Sequence, residues 1–188
     1  MAANAQNVSA GKPKIGGAIY AAPVGTTLPT TTDESLAAAF DNLGYVGADG
    51  LTNGTNIEST DIKAWGGDTV LVIQTSKDDT FSFNLIETLS EDVLKFVYGD
   101  ANVSGTLATG LTVNVSSADV SEVSIVIDMV LRGNTAKRIV IPAAKISAVE
   151  DITYSDEDAI GYNTTVKCTP DASGNTHYEY MKKSNISG

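Results

Sequence analysis

The alternation of hydrophobic and polar positions in the second half of the chain predicts a long β-hairpin. Five apolar side chains share one face of its first strand: Val123, Ile125, Ile127, Met129 and Leu131. Gly133-Asn134 supplies the turn, and residues 136–141 form the returning strand. Pro142 lacks the backbone N–H that a strand ladder needs, so we expect the returning strand to end there.

A second hairpin is predicted earlier in the chain, from residues 69–75 and 80–86. The polar residues 77–79 lie between these two segments and are typical of a turn. In the second segment, hydrophobic side chains alternate with Thr, Ser and Asn, as in a half-buried strand; they are Phe81, Phe83 and Leu85.

Two short helices are predicted between the strands. Residues 33–40 are predicted to form a short helix, because Thr31 and Glu34 have the spacing of a capping box. The better-defined helix begins after Ser90, carries two acidic residues in its first turn and ends at Gly99. Its apolar face consists of Val93, Leu94, Phe96 and Val97.

This order of elements predicts a mainly-β fold, an antiparallel β-sandwich or barrel with one flanking α-helix. The composition agrees, since the chain contains 17 Val, 14 Ile and 21 Thr among its 188 residues. Residues 1–14 are small and polar and are predicted to form a flexible N-terminal segment (an N-terminal arm). Residues 15–182 form the β-domain and residues 183–188 a short tail. The start of the chain has no apolar segment of the secretory type, so we expect folding in a cytoplasm.

Charge and residue counts exclude several classes of function. The net charge of -11 repels phosphate, which argues against tight nucleic-acid binding. A single histidine, His177, and a single cysteine, Cys168, cannot supply a multi-His or multi-Cys metal site. His177 is interpreted as an ordinary strand residue and Cys168 as a buried one. The motifs of the chain include no catalytic residue, metal site or cofactor site, and we expect that the protein is not an enzyme.

Trp65 is the only tryptophan and lies in the turn-prone segment 64–68. It could fill the core of the domain, because tryptophan is usually mostly buried. Alternatively, it could be an anchor on a loop that reaches a neighbouring subunit. The long β-branched strands also have little Pro or Lys at their ends, and unprotected edges of this kind invite pairing with another chain.

A set of short stretches in a fixed order carries a further signal. They are residues 17–26, 43–46, 49–51, 64–68, 87–88, 93–99, 141–145 and 155–162, followed by Gly174 and residues 178–180. Through these stretches, which extend from about Gly16 to Met181, the chain resembles the major tail tube proteins of long, non-contractile-tailed bacteriophages (siphophages).

The resemblance implies a structural virion protein, with residues 15–182 as the tail tube domain. Members of this family close into hexameric rings, in which the sheets join into a continuous inner β-barrel. The rings stack into a tube that conducts phage DNA. The implied partners are further copies of the chain, a tape measure protein inside the tube, a tail-tip or initiator protein and a tail terminator. Double-stranded DNA would pass without specific binding, and no membrane is involved. The protein would be made in the host cytoplasm and reside in the virion tail.

Two groups of residues are then expected to matter for assembly. We predict that residues 53–68 form a long loop contacting the next subunit or ring, with Trp65 as its anchor. The contact residues are Asn53, Glu58, Asp61, Lys63, Trp65, Gly66, Gly67 and Asp68. From strand alternation alone, Glu122 and Asp128 are predicted to be lumen-facing. An acidic lumen would repel the DNA backbone and let it slide.

Two other interpretations remain open from the sequence. A type VI secretion-like tube protein would share the ring architecture and a similar composition. A bacterial surface β-sandwich binding module would instead predict a signal sequence or a sorting tail.

Overall fold

The structure, a computed structural model, describes residues 3–183. The five residues 184–188, which belong to the predicted C-terminal tail, lie outside the described residues. One α-helix, α1, spans Glu91–Tyr98. The strands are β1 (Lys12–Pro13), β2 (Ile19–Pro23), β3 (Asp41–Asn42), β4 (Val46–Lys63), β5 (Thr69–Leu85), β6 (Val103–Ser104), β7 (Thr112–Val113), β8 (Val123–Leu131), β9 (Thr135–Val149), β10 (Tyr162–Cys168) and β11 (Tyr178–Lys183).

Nine of the strands form one antiparallel sheet in the order β3-β2-β8-β9-β10-β5-β4. β1 pairs with β8 beyond the end of β2, and β11 pairs with β9 beyond the end of β10. β6 and β7 form a small separate ribbon. The prediction of a mainly-β, antiparallel fold with one flanking helix is confirmed.

The core lies between one face of this sheet and α1. Ser90 precedes the helix, and Gly99 ends it with a positive φ of 92° while its N–H donates to the carbonyl of Lys95. Phe83 of β5 and Phe96 of α1 pack with ring centroids 6.2 Å apart. The buried side chains that meet here include Ile19, Phe81, Phe83, Leu85, Val93, Leu94, Phe96, Val97, Ile125, Ile127, Ile139 and Ile141. The predicted helix and its apolar face are confirmed.

The β8–β9 hairpin turns at Gly133-Asn134 as predicted, with φ values of 70° and 56°. The predicted end of the strand at Pro142 is wrong, because β9 continues to Val149. Ile125 pairs with Ile141 and Val123 with Ala144, so one residue of β8 faces two of β9. Such a β-bulge tolerates proline, since the missing N–H is not needed in the ladder.

The predicted helix at residues 33–40 is absent from the structure, which has no regular element there. The capping contact does form, since the Glu34 N–H donates to Thr31 Oγ1 at 3.2 Å. However, the Arg138 guanidinium donates to the carbonyls of Thr31 and Glu34, at 2.9 and 2.6 Å. A helix would use those carbonyls for its own hydrogen bonds, so the contact with β9 replaces it.

The hairpin predicted around residues 77–79 is also wrong, because β5 runs without a break from Thr69 to Leu85. Its antiparallel partner is β4, which is one residue longer and comes before it in the chain. Lys77 pairs with Ile57 and Asp78 with Asn56, so the polar residues occupy ordinary ladder positions. Lys77 is exposed and Asp79 is buried, so these polar residues are part of a strand and do not form a turn.

Part of the polar N-terminal segment lies against β8. Lys12 pairs with Val130 and Pro13 with Met129. Further along, the Arg132 side chain donates to the carbonyl of Ala5 at 3.1 Å. The segment therefore contacts β8 and the turn that follows it at these residues. Its flexibility and the boundaries proposed after residues 14 and 182 stay predictions.

Candidate functional site

The most distinctive feature of the molecule is a two-stranded ribbon that extends from the sheet. We call residues 55–78 the arm; they comprise the outer parts of β4 and β5 and the turn between them. β10 pairs with β5 only over Thr80–Leu85, so along the arm β5 pairs with β4 alone. At the tip, the Ala64 N–H donates to the Asp68 carbonyl at 2.8 Å, and Gly66 and Gly67 adopt positive φ.

The arm exposes apolar side chains along its length. Trp65 at the tip is fully exposed to solvent. Six aliphatic side chains expose between 44% and 62% of their surface: Ile57, Ile62, Val70, Leu71, Val72 and Ile73. Contiguous exposed apolar surface is typical of a binding site for another macromolecule.

The strand register divides the arm into two unlike faces. Ile62 pairs with Leu71 and Thr60 with Ile73, so three aliphatic side chains lie together on one face. The opposite face carries the pairs Asp61–Val72 and Ser59–Gln74, and is more polar. We call the first the aliphatic face and the second the polar face.

All eight residues predicted to make inter-subunit contacts belong to the arm or its base. They are Asn53, Glu58, Asp61, Lys63, Trp65, Gly66, Gly67 and Asp68. The prediction that residues 53–68 are a loop is wrong, since residues up to Lys63 form β4 and only the tip is a turn. Core packing of Trp65 is likewise excluded by its exposure. Contact of these residues with another subunit stays a prediction.

The two acidic residues predicted to face a lumen lie in different environments. Glu122 is exposed and accepts a hydrogen bond from Thr169 Oγ1 at 3.1 Å. Asp128 is only 5% exposed and accepts from Arg138 Nε and Nη2, at 2.6 and 2.8 Å. The prediction for Asp128 is wrong, because its charge is neutralised inside the subunit and does not face solvent.

The environment of Asp128 also sets its ionisation. Burial alone would raise its pKa, but the hydrogen bonds and charge of Arg138, together with Lys14, outweigh burial and hold the pKa of Asp128 below its usual value. The same contact raises the pKa of Arg138. Both side chains are therefore charged at neutral pH and form an ion pair that joins β8 to β9.

Unpaired strand edges form a second candidate surface. Within residues 3–183, the outer edge of β4 pairs with no other strand, and β11 pairs with β9 alone. Unpaired N–H and C=O groups on such edges can continue a sheet into another chain. The arm and the free edge of β4 are parts of the same ribbon, so one partner could engage both.

A buried polar cluster at the base of the arm was not predicted. Asp79 is 2% exposed and accepts hydrogen bonds from Asn53 Nδ2 at 2.8 Å, Thr176 Oγ1 at 2.7 Å and His177 Nδ1 at 2.5 Å. Burial raises the pKa of Asp79, but these hydrogen bonds and the His177 charge outweigh it and leave the pKa below its usual value. No pattern in the sequence pairs Asp79 with His177, because their contact depends on the tertiary fold.

Between Ala3 and Lys183, no three His, Cys, Asp or Glu side chains are grouped so that they could hold a metal ion. In the same range, α1 is the only α-helix, and no helix is long and apolar enough to cross a membrane. Cys168 is buried, and its burial raises the pKa of the thiol to about 12.

The chain has likenesses to known proteins in both structure and sequence. The chain is similar to the tube-terminating cap of the anti-feeding prophage, solved by cryo-electron microscopy, with a TM-score of 0.46 and 7% sequence identity. That likeness covers 97% of this chain and 100% of the cap chain. No curated protein sequence matches the chain. The family model described as "Phage tail tube protein" matches residues 1–186. The chain therefore belongs to the phage tail tube protein family, a structural family of the virion tail.

Proposed function

We propose that this chain is the major tail tube subunit of a siphophage, and that it polymerises into stacked hexameric rings that form the conduit for phage DNA. The observation that carries the proposal is the arm, which extends from the sheet with Trp65 exposed at its tip and exposed aliphatic side chains on both of its strands. A single subunit leaves this surface without a partner, and burial against a second copy would remove it from water.

The geometry of the arm favours an open assembly. The arm and the body of the subunit are different surfaces, so a contact between them is heterologous, that is, head to tail. Heterologous contacts close into rings or continue as filaments, depending on the rotation between neighbours. In the proposed tube, edge pairing of strands closes the ring into a continuous inner β-barrel, and the arm contacts the next subunit or ring.

The charge of the chain supports a conduit through which double-stranded DNA passes without specific binding. The net charge is -11 at neutral pH. Each phosphate neutralised by a protein cation would add salt-dependent affinity and slow the passage of DNA. In this proposal Glu122, which is exposed, remains a lumen-facing residue, whereas Asp128 does not.

The role is structural rather than enzymatic. The proposed partners are other copies of the chain, a tape measure protein inside the growing tube, a tail-tip or initiator protein and a tail terminator. Synthesis in the host cytoplasm and residence in the virion tail follow from this role. The phage tail tube match favours it over a type VI secretion-like tube or a bacterial surface module.

Negative-stain electron microscopy over a concentration series, with light scattering on the same samples, tests this function. We expect hollow tubes or stacked six-fold rings with a central channel. If the protein stays monomeric, purified tail-tip complex is added as an initiator. Monomers at every concentration, with and without that complex, would contradict the proposal.

A further inference from the structure

The cluster around Asp79 lies at the point where the arm leaves the body of the subunit. Toward the C-terminal end of β5, Thr80 pairs with Lys167 of β10, and Phe81 is fully buried. In the other direction, from Asp79 outward, β5 has only β4 as a neighbour. An isolated two-stranded ribbon is at best marginally stable in water, so its direction depends on how its base is held.

Asp79 connects three segments of the chain at this point. Asn53 belongs to β4, Asp79 to β5, and Thr176 and His177 to the connection before β11. Asn53 Nδ2 donates both to Asp79 Oδ1 and to the carbonyl of Thr80, at 2.8 and 3.0 Å. The other carboxylate oxygen of Asp79 takes the hydrogen bonds from Thr176 and His177. Both strands of the arm are thus tied to the same buried carboxylate.

The connection that presents Thr176 and His177 is itself braced. Asp171 accepts hydrogen bonds from the Ser173 and Asn175 N–H groups, at 2.8 and 3.0 Å, and from the Tyr178 hydroxyl at 2.6 Å. The hydrogen bond from Tyr178 leads the contacts that hold the pKa of Asp171 below its usual value. Hydrogen bonds to Asp171 therefore stabilise the turn that places Thr176 and His177 beside Asp79.

His177 also packs against the core. Its ring meets Phe81 edge to face, with centroids 5.2 Å apart. Other ionisable groups near the base are the buried thiol of Cys168 and the ion pair between Asp78 and Lys167. Asp78 and Lys167 are 2.8 Å apart, half-exposed and on the other face of β5. The buried contact of the base is therefore on the face of Asp79.

We propose that Asp79, held by Asn53, Thr176 and His177, is a positioning residue that fixes the direction in which the arm leaves the subunit. When the cluster is intact, the tip is presented in one orientation. When it is broken, the arm pivots at residue 79, where the support of β10 ends. The consequence for tube formation rests on the function proposed above, whereas the direction of the arm does not.

The distance between the arm tip and the body tests the proposal directly. Spin labels are attached at Ala64→Cys on the tip and at Ala101→Cys, an exposed residue after α1. Pulsed electron paramagnetic resonance then measures the distribution of distances between the two labels. Cys168 is buried and should not compete for the label. The measurement uses dilute, unassembled subunits, so it does not require tubes.

Asp79→Asn replaces the carboxylate by an uncharged amide. The NH2 group of this amide cannot accept the hydrogen bonds that one carboxylate oxygen of Asp79 receives. We expect the fraction of subunits whose arm has left its orientation in the structure to rise about tenfold or more, because hydrogen bonds to a charged group are lost. This rise would be seen as a broader distribution of distances between the two labels. Thr176→Val removes one donor and keeps the charge, so it should shift the distribution in the same direction by less. The matched control is Asp78→Asn, which breaks the half-exposed pair with Lys167 and should leave the distribution unchanged.

The outcomes separate the two proposals. An unchanged distribution in Asp79→Asn, or equal broadening in Asp78→Asn, would overturn the positioning role. If Asp79→Asn does not fold, Thr176→Val decides by the same criterion. A broadened distance distribution in Asp79→Asn together with a wild-type yield of tubes would show that the direction of the arm does not affect assembly. Absence of tubes from the wild-type protein would instead count against the proposed function and leave the distance result valid.

Discussion

Arg138 and Asp128 form a bidentate ion pair across the β8–β9 hairpin, on residues that are direct partners in the strand register. Both side chains are nearly inaccessible to solvent. The remaining guanidinium nitrogen of Arg138 donates to the carbonyls of Thr31 and Glu34, so one side chain joins the hairpin to the segment before β3. This pair also explains why an acidic residue on an alternating strand does not face solvent.

Replacing Arg138 by Met should strongly destabilise the subunit. The substitution leaves Asp128 buried without its main partner, and breaking a buried ion pair in this way costs about 3–5 kcal/mol. Urea unfolding followed by circular dichroism measures the effect. Lys145→Met is the control: it removes the exposed pair with Asp119 and should cost less than about 1 kcal/mol. Equal losses in the two variants would contradict the assigned role of the buried pair.

Acid should destabilise the fold through its buried carboxylates. The pKa values of Asp79 and Asp128 lie below the ordinary 3.8 in the folded chain, so the unfolded chain binds protons more readily in that range. Their stabilising contribution is therefore complete above about pH 4–5 and is lost as the pH falls through the folded-state values. Urea midpoints measured from neutral to acidic pH should show this loss. Asp79→Asn should flatten the profile, and an unchanged slope would argue against the cluster.

Replacing Trp65 by Ala should reduce tube formation without weakening the fold. Trp65 is fully exposed in the subunit, so its truncation should change the free energy of unfolding by less than about 0.5 kcal/mol. As an interface anchor it should lower the yield of sedimenting tubes at least about tenfold. Tyr154→Ala removes another exposed aromatic side chain, away from the arm, and serves as control. Wild-type tube yield in Trp65→Ala would show that the tip is not an anchor.

The two faces of the arm should respond differently to a charge. Leu71→Asp places a carboxylate on the aliphatic face beside Ile62, whereas Val72→Asp places it on the polar face beside Asp61. Burying an unpaired charge is costly, so we expect Leu71→Asp to inhibit assembly more strongly. Sedimentation of both variants over the same concentration series measures the difference. The reverse order would mean that the polar face is the one covered.

Cys168 should be unreactive in the folded subunit. Burial raises the pKa of its thiol to about 12, so little thiolate is present at neutral pH and access is blocked. Absorbance after addition of a disulfide reagent should show slow reaction in buffer and rapid reaction in urea. Because the chain has one cysteine, the signal has a single source. Fast reaction in buffer would show that β10 opens readily.

The sequence alone determines the elements whose signals are local. Period-two alternation from Val123 to Leu131 and the Gly133-Asn134 turn predict the β8–β9 hairpin, and the apolar face between Ser90 and Gly99 predicts α1. These predictions hold because hydrophobic spacing and turn conformation are properties of neighbouring residues. The resemblance drawn from the ordered short stretches also held, since the family match spans residues 1–186.

Tertiary structure decides the rest, because it depends on which distant residues meet. Residues 77–79 resemble a turn until a second long strand pairs with them, and residues 33–40 resemble a helix until Arg138 binds the carbonyls of Thr31 and Glu34. The sequence does not distinguish Asp128 from Glu122, since both are acidic residues of the same predicted face. In the structure, Asp128 is buried against the guanidinium of Arg138, whereas Glu122 is exposed. Likewise, the sequence marks Trp65 as unusual, but only the pairing of β4 with β5 extends the arm and leaves that side chain in solvent.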